Sequence, residues 1–529
     1  MKKALVIIII LNLIVSLYSQ TVYYSTNNTS IYSFLDEMAN IRLIELNSAV
    51  KPYSRMFIAQ KLAGLDTLRA QLNPRQQKEL DFFLKDFNKE LKPDKDFNKR
   101  FDIFYYKDSL FTFSGNLILG TEFFANKNGN ALYWWNGGEV FSYVGKHLGI
   151  YASLRDQHDR DFLTQPLYLN QRMGMRHKAN GDFEEMLGGI TLTWKWGTIG
   201  IIKDQQQWGN NYNGANIFSG RTPSIAKITL NLKPVRWFEF NYFHGWLVSE
   251  VVDSNRSYYV TNSSGTTYVK VYHQKYVAAN IFTFTPVRNL NISVGNSIIY
   301  SDIGVHPVYL IPVFFYKGVD HTLSAGSGNM NSQMYMDISS RNIRHLHLYG
   351  TIFVDEVNIG NMFDPSSQSN FFSWKFGSRL SDYPFKNISV TAEYTRTNPL
   401  AFRHYLPTTT FESNKYNLGH YLTDNAQEIY LNLQYKPIRG LVIDLSWTYA
   451  RKGPDYTELG AGRLGLPFMD SIAWENNTIA FKARYEIIND GYVYVGFEHS
   501  NISGDVEKYT HPLWFGKTRT VSVGINFGF

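Results

Sequence analysis

The chain has 529 residues, is 16% aromatic but only 18% charged, carries a formal net charge of +7 and contains no cysteine. The missing cysteine excludes disulfides and a lipoprotein anchor, and the dispersed Lys and Arg form no basic stripe that could track phosphates, which excludes a nucleic-acid partner. After the first residues there is no apolar run of about 18, so a transmembrane helix is excluded by length, and any span has to be made of strands closed into a barrel.

Met1, Lys2 and Lys3 form a positive n-region and Ala4 to Val15 an apolar core, so residues 1–19 read as a secretory signal peptide cut before Gln20. Leu17 is larger than the small residue usual near such a cut, which lets the cut shift by a residue or two. Residues 20–108 read as a small helical bundle. Ile31, Phe34, Leu35 and Met38 recur at helical spacing, followed by Ile41, Leu43 and Ile44. Ser54 has N-cap chemistry for a second helix through Ile58, Leu62 and Leu65, and a third follows Pro74 with Leu80, Phe83 and Leu84 on one stripe. So little apolar surface cannot stabilise the bundle alone. It is expected to dock, and its place before the first strand puts it at the periplasmic mouth.

From residue 109 to 529 the helical period gives way to paired alternating runs. Three joints share one signature, Lys233 to Arg236, Thr285 to Arg288 and Lys436 to Arg439, each with a proline that presets a turn and cannot continue a ladder. Further tight joints are Trp196 to Thr198, Ser381 to Lys386 and Asn489 to Gly491. Between them lie long connections at 156–183, 205–224, 249–268, 302–330, 397–426, 452–476 and 502–516. Short turns on one side and long loops on the other are the asymmetry of an outer-membrane barrel. Strand parity requires a break at Gly145 and Lys146, and the count then comes to about 18. The closing strand alternates Val521, Val523, Ile525, Phe527 and Phe529 with Ser522, Gly524, Asn526 and Gly528. A terminal aromatic is the mark by which barrel-insertion machinery recognises its clients. The expected fold is therefore an all-β transmembrane barrel of about 18 antiparallel strands with a small N-terminal α-helical bundle, monomeric and in contact with outer-membrane lipid.

The long loops hold the candidate chemistry. One carries Trp208, Gly209, Tyr212, Asn213, Asn216, Ile217, Phe218 and Ser219; another carries Asn417, Leu418, Gly419, His420, Asp424, Asn425 and Ala426; a third runs from Val305 to Asp320. At these segments the chain resembles the capsule-assembly Wzi family, whose Trp-Gly, Tyr and apolar-pair-Ser pattern fits Trp208 to Ser219. The family's Leu-Gly-His and Asp-Asn-Ala fit Leu418 to His420 and Asp424 to Ala426. Phe240 to Leu247, Asn342 to Val357 with Asp355 and Glu356, and Lys51 to Leu62 extend the likeness over most of the mature chain. Asn210 stands where the family often has Pro, which leaves the rigidity of that loop in doubt.

The resemblance implies an outer-membrane lectin that helps attach or assemble capsular or other surface polysaccharide. Aromatic faces pack on sugar C–H surfaces while amides and carboxylates bind hydroxyls. The candidate saccharide ligands are Trp208, Tyr212, Asn213, Asn216, Ser219, Asn417, His420, Asp424, Asn425 and Glu356. The same residue types also pack loops into a lumen, and for each taken singly packing is the stronger reading. A diffusion porin and a structural partner in a secretion or gliding complex are the other function classes. Ser219, His420 and Asp424 lack the elbow motif of a hydrolase. His345 and His347 lack a carboxylate at ligand spacing and read as rim or lumen packing. Asp355 and Glu356, as strand neighbours, point to opposite faces. No catalysis, cofactor or metal is expected.

Overall fold

Alternation along the last strand sets the geometry of the whole chain. Val521, Val523 and Ile525 point outward and are 50%, 53% and 54% exposed, while Thr518, Thr520 and Asn526 point inward and are buried. An apolar outer face against a polar inner face is what a strand between lipid and a lumen requires. The computed structural model describes residues 20–528 apart from 93–96, 160–181 other than Tyr168, 264, 324–328, 357–369 other than Gly360, Phe363 and Asp364, and 457–465. The signal-peptide reading of residues 1–19 and the terminal Phe529 fall outside the described residues.

The wall is a closed 18-stranded antiparallel barrel. Its strands are β1 Phe111–Asn126, β2 Gly129–Val144, β3 Leu148–Asp159, β4 Asp182–Trp194, β5 Gly197–Asp204, β6 Ile225–Val235, β7 Phe238–Leu247, β8 Lys275–Val287 and β9 Leu290–Ser301. They continue as β10 Met330–Ser340, β11 Leu346–Glu356, β12 Phe371–Ser381, β13 Ile388–Thr397, β14 Ala426–Tyr435, β15 Leu441–Lys452, β16 Trp474–Ile488, β17 Gly491–Gly504 and β18 Gly516–Phe527. Closure comes from β18 pairing back on β1, from Val521 opposite Ala125 to Phe527 opposite Leu119. A short strand, Phe104–Lys107, adds to β1 and leads the chain in from the helices.

The break expected at Gly145 and Lys146 is the turn between β2 and β3. Short turns share one end of the barrel and long connections the other, with the tight turn between β1 and β2 the exception at the long-loop end. Two of the proline signatures sit differently from the expected turns. Lys233, Pro234 and Val235 end β6, and Thr285, Pro286 and Val287 end β8, so the turns fall just beyond them. In both places the ladder shifts register, between Leu232 and Val235 and between Phe284 and Val287. A residue without N–H cannot bond its ladder partner, and a bulge accommodates it.

Among the described residues three α-helices precede the barrel: α1 Thr29–Asn40, α2 Arg55–Thr67 and α3 Pro74–Leu91. The Ser54 hydroxyl accepts from the Phe57 N–H at 3.2 Å and caps α2. Asn73 and Gln76 form a reciprocal capping box ahead of Pro74, whose missing N–H costs nothing in the first turn of α3. Phe34, Leu35 and Met38 meet Ile58, Leu62, Leu65, Leu80 and Phe87 in one small core. α1 stops at Asn40 and Arg42 takes φ 68°, so Ile41, Leu43 and Ile44 continue as irregular chain and not as helix.

With its apolar stripe spent on this core, the bundle docks on the short-turn end through polar groups. Arg341 donates to Asp36 and to Asn40, both at 2.7 Å; Lys436 meets Glu37 at 3.0 Å; Arg75 donates to Asn387 at 2.8 Å; and Tyr24 donates to Asp490 at 2.8 Å. Burial pushes the Asp36 carboxyl up, but Arg341, His347 and Arg379 together hold it well below the usual carboxylate range. Such pairs are strongly destabilising to break from one side, because the remaining charge stays buried. Arg341→Ala is expected to weaken docking by about 3–5 kcal/mol, read as faster trypsin cleavage within the helices of an otherwise folded barrel. Because the folded-state carboxyl of Asp36 is depressed, its contribution is complete above its ordinary pKa of 3.8 and is lost as the pH falls below it. The urea midpoint for loss of helical circular dichroism is expected to drop as the pH is lowered through that range.

Candidate functional site

The connection between β5 and β6 turns into the lumen. Gln207 and Trp208 pair with Val50 and Lys51 on one side and with Phe218 and Ser219 on the other, a small sheet that joins loop to N-terminal segment. Gly209 at φ 99° and Gly214 at φ 113° permit the reversals. Trp208 is 1% exposed, and Phe218, Phe243 and Tyr335 meet its ring edge-on at 5.3, 5.2 and 6.1 Å. No ring face is left for a sugar; Trp208 is a packing residue.

The neighbouring candidates are held by the wall. The Tyr212 and Asn213 amides donate to the two oxygens of Glu393 at 2.7 and 2.9 Å, and the Asn213 side chain donates to Glu428 at 2.8 Å. Asn216 donates to Ser373 at 2.7 Å, and the Ser219 amide donates to the Leu418 carbonyl at 2.7 Å. The Tyr212 hydroxyl donates to Asp36 at 2.6 Å and lies 2.9 Å from His347 Nδ1, which couples loop, bundle and wall. The Asn210 backbone N–H donates to Asp337 at 2.9 Å, a bond proline could not make at this position.

The second loop is built the same way. Asn417 donates to the His420 carbonyl at 2.7 Å, and the buried His420 Nε2 stands 3.6 Å from Glu428. Burial pushes the imidazole of His420 down, toward its neutral form. Asp424 lies 3.1 Å from Arg403 and 3.7 Å from Lys452, and although burial pushes its carboxyl up, these cations hold it below its ordinary value. Asn425 donates to the Pro454 carbonyl at 2.9 Å and accepts from the Met469 amide at 2.9 Å. Glu356 ends β11 at the loop end, exposed and facing outward, away from this set. Of the histidines, His345 lies in the turn before β11 while His347 faces inward.

Glu356 apart, the candidates are thus brought together as a plug, and Tyr212 and Ser219 among them line the cavity beside it. The cavity has a volume of about 730 Å3 and is bounded by α1, the first plug loop and the inner faces of β12–β18 and β1–β3. Its wall pairs aromatic rings with cations. The Arg155 guanidinium lies 4.3 Å from the Trp135 ring, Lys482 Nζ 4.7 Å from the Tyr494 ring and Arg484 5.3 Å from the Tyr492 ring. Tyr430, Asn432, Gln434 and Asp444 face them. The Gln157 side-chain N–H2, on a residue 3% exposed at the cavity's edge, has no hydrogen-bond partner among the described residues. These residues sit on strands, outside the long loops in which the candidate chemistry was expected. The signal was the strand phase: with Val493, Val495 and Phe497 outward, Tyr492 and Tyr494 have to face the lumen.

No protein-family model matches the chain, and no curated protein matches it by sequence. Among solved structures the fold is similar to that of Wzi, an outer-membrane protein involved in group 1 capsule assembly in Escherichia coli and a carbohydrate-binding β-barrel. The TM-score is 0.60 at 11% identity, over 97% of this chain and 100% of that one. The Pseudomonas aeruginosa barrels OccD3 and OprD align over 78% of this chain, at TM-scores of 0.44 and 0.42 and identities of 11% and 9%, covering 90% and 94% of their own lengths. The likeness is one of fold.

Trp208→Ala should open a void in the plug and cost about 3–5 kcal/mol. A lowered thermal midpoint with the cavity-wall chemistry unchanged is the expected result, and an unchanged midpoint would contradict the packing role.

Proposed function

We propose that the chain is a lectin of the Gram-negative outer membrane that holds capsular or another surface polysaccharide at the cell surface and helps attach or assemble it, without catalysis. The observation that carries this reading is the lumen. It is occupied from both ends by the chain's own helices and loops, which opposes free diffusion, and what remains is a cavity walled by rings backed with cations. Aromatic faces suit sugar C–H surfaces, and Asn432, Gln434 and Gln157 suit hydroxyls. Lys51, Arg155, Arg221, Arg379, Lys482 and Arg484 outnumber Asp36, Glu122 and Asp444 around it, which favours a glycan with acidic substituents. The whole-chain fold likeness to a carbohydrate-binding barrel supports the same class. In this reading residues 1–19 direct export, Phe529 addresses the barrel-insertion machinery, and the partners are outer-membrane lipid and surface polysaccharide. The polar cavity also suits a porin, the second reading.

Deleting the gene is expected to move the surface polymer from the cells to the medium without reducing its synthesis, and the purified protein is expected to retard that polymer in affinity electrophoresis. Lys482→Gln and Tyr494→Ala should each weaken retardation by roughly tenfold, for a cation–ring pair contributing about 1–2 kcal/mol. In planar bilayers the lectin reading expects no unitary current. Polymer that stays on the deletion cells, together with a steady conductance, would replace the lectin by the porin.

A further inference from the structure

The long connection between β9 and β10 behaves unlike the two plug loops, because it folds down the outside of the wall. On β7–β9 the outward positions Tyr242, His244, Asn280 and Tyr300 are all under 5% exposed. Farther down the same sector, the outward Phe284 and Val294 are 38% and 40% exposed, as lipid-facing residues should be. The cover is a 3-10 turn, Pro307–Leu310, followed by an extended stretch and the helix α4, Tyr316–Leu323, whose Tyr309 and Tyr316 are fully buried against the wall.

Irregular backbone at membrane depth is tolerated only where its polar groups are bonded. Here the wall binds three carbonyls and one amide of the stretch. Midway along β8, Asn280 donates to the carbonyls of Pro312 and Phe314, both at 2.9 Å. Midway along β9, Asn296 accepts from the Tyr316 amide at 2.8 Å, and on β7 the Tyr242 hydroxyl donates to the Tyr309 carbonyl at 2.8 Å. Pro307 and Pro312 bring no N–H to satisfy. On the far side of this stretch Leu310, Ile311, Val313 and Phe315 are exposed at 40%, 39%, 60% and 53%, with no charge among them. Lys317 and Asp320 lie beyond, on the helix that climbs back toward the rim, where long side chains can reach the headgroups.

We propose that residues 305–315 form a membrane-inserted strap whose outer face meets the acyl chains of the outer leaflet, replacing the wall of β7–β9 as the lipid boundary. The exposed apolar set continues the lipid-facing band of the barrel, and the asparagine clamps serve a backbone that has no water to bond. The proposal stands independently of the polysaccharide reading.

The chain has no cysteine, so single cysteines can carry a fluorophore at Val313→Cys and Phe315→Cys, with Ile352→Cys on the lipid-facing wall and Tyr259→Cys on the exposed outer hairpin as references. The full-length protein is reconstituted in phospholipid vesicles containing brominated acyl chains, and heat-modifiable gel mobility confirms that each variant is folded. Labels at Val313 and Phe315 are expected to be quenched by brominated chains as the Ile352 label is, and by aqueous iodide about fivefold less than the Tyr259 label, since water is excluded there. Iodide quenching equal to that at Tyr259 overturns the proposal by putting the strap in water, and protection from both quenchers overturns it by putting protein over the strap. Adding Asn280→Ala with Asn296→Ala is expected to raise iodide access at Val313 several-fold; unchanged access would overturn the clamp.

Discussion

A chain that crosses hydrocarbon must leave no backbone amide or carbonyl unpaired, and every other feature of this fold follows from meeting that condition. One ladder decides it: β18 against β1, from Val521 opposite Ala125 to Phe527 opposite Leu119. Without that pairing the sheet would have two open edges in lipid. With it, all eighteen strands have two neighbours, and the ladder shifts register only near strand ends: at Pro234, at Pro286 and between Glu486 and Ile488 on the turn side, and between Val354 and Glu356 on the loop side. Prolines are tolerated there because water, and not lipid, reaches the freed groups.

Closing that many strands creates a second problem, since a ring of this size leaves a lumen too wide for its own side chains to fill. The chain fills it with loops, and loops carry backbone that has to be bonded inside. The inward carboxylates of Glu393, Asp337 and Glu428 serve this purpose, each accepting from plug-loop groups at Tyr212, Asn213 or Asn210. Residues that look like sugar ligands in the sequence are consumed in this way. Asn216 and Asn425 use their amides on Ser373 and Pro454, and Asp424 answers Arg403 and Lys452. Polar richness in a barrel loop is therefore as much a signature of filling as of binding.

This explains why the fold was more legible than the site. Strand number, the break at Gly145 and the division into short turns and long loops are set by period and turn chemistry, both local and visible in one sequence. Ser54 and the Asn73–Gln76 box marked helix starts for the same reason. The end of α1 is not legible in the sequence, because Ile41, Leu43 and Ile44 prolong the apolar pattern past Arg42, where the backbone takes a positive φ. The cavity wall depends on long-range placement. Trp135 on β2 and Arg155 on β3 meet within one hairpin, but Tyr494 on β17 joins them around the cavity only once β18 closes on β1, and nothing in their own segments distinguishes them from ordinary alternating strand residues. Similarly, whether the 205–224 loop faces water or folds inward is decided by partners such as Asp36 and Glu393, more than a hundred residues away.

The plug and the strap act on the same sector of the wall, which accounts for its odd sequence. In β8 the residues from Lys275 to Ile281 are buried without alternation. Val277, Ala279 and Ile281 pack inward on the core around Trp208 and Phe218, while Tyr276 and Ala278 pack outward under Tyr309 and Tyr316. A strand covered on both faces loses the period of two and reads as a continuous apolar run, as in the middle of a soluble sheet. Opposite it, β16 and β17 alternate over most of their length, because one face meets lipid and the other an open cavity lined by Lys482, Arg484, Tyr492 and Tyr494. The barrel is thus divided into a sector packed through its full thickness and a sector one strand thick. The off-centre position of the cavity matches that division: the apolar part of the first plug loop packs where Phe243, Val277 and Phe353 line the lumen, while Lys482, Arg484, Tyr492 and Tyr494 line the open part.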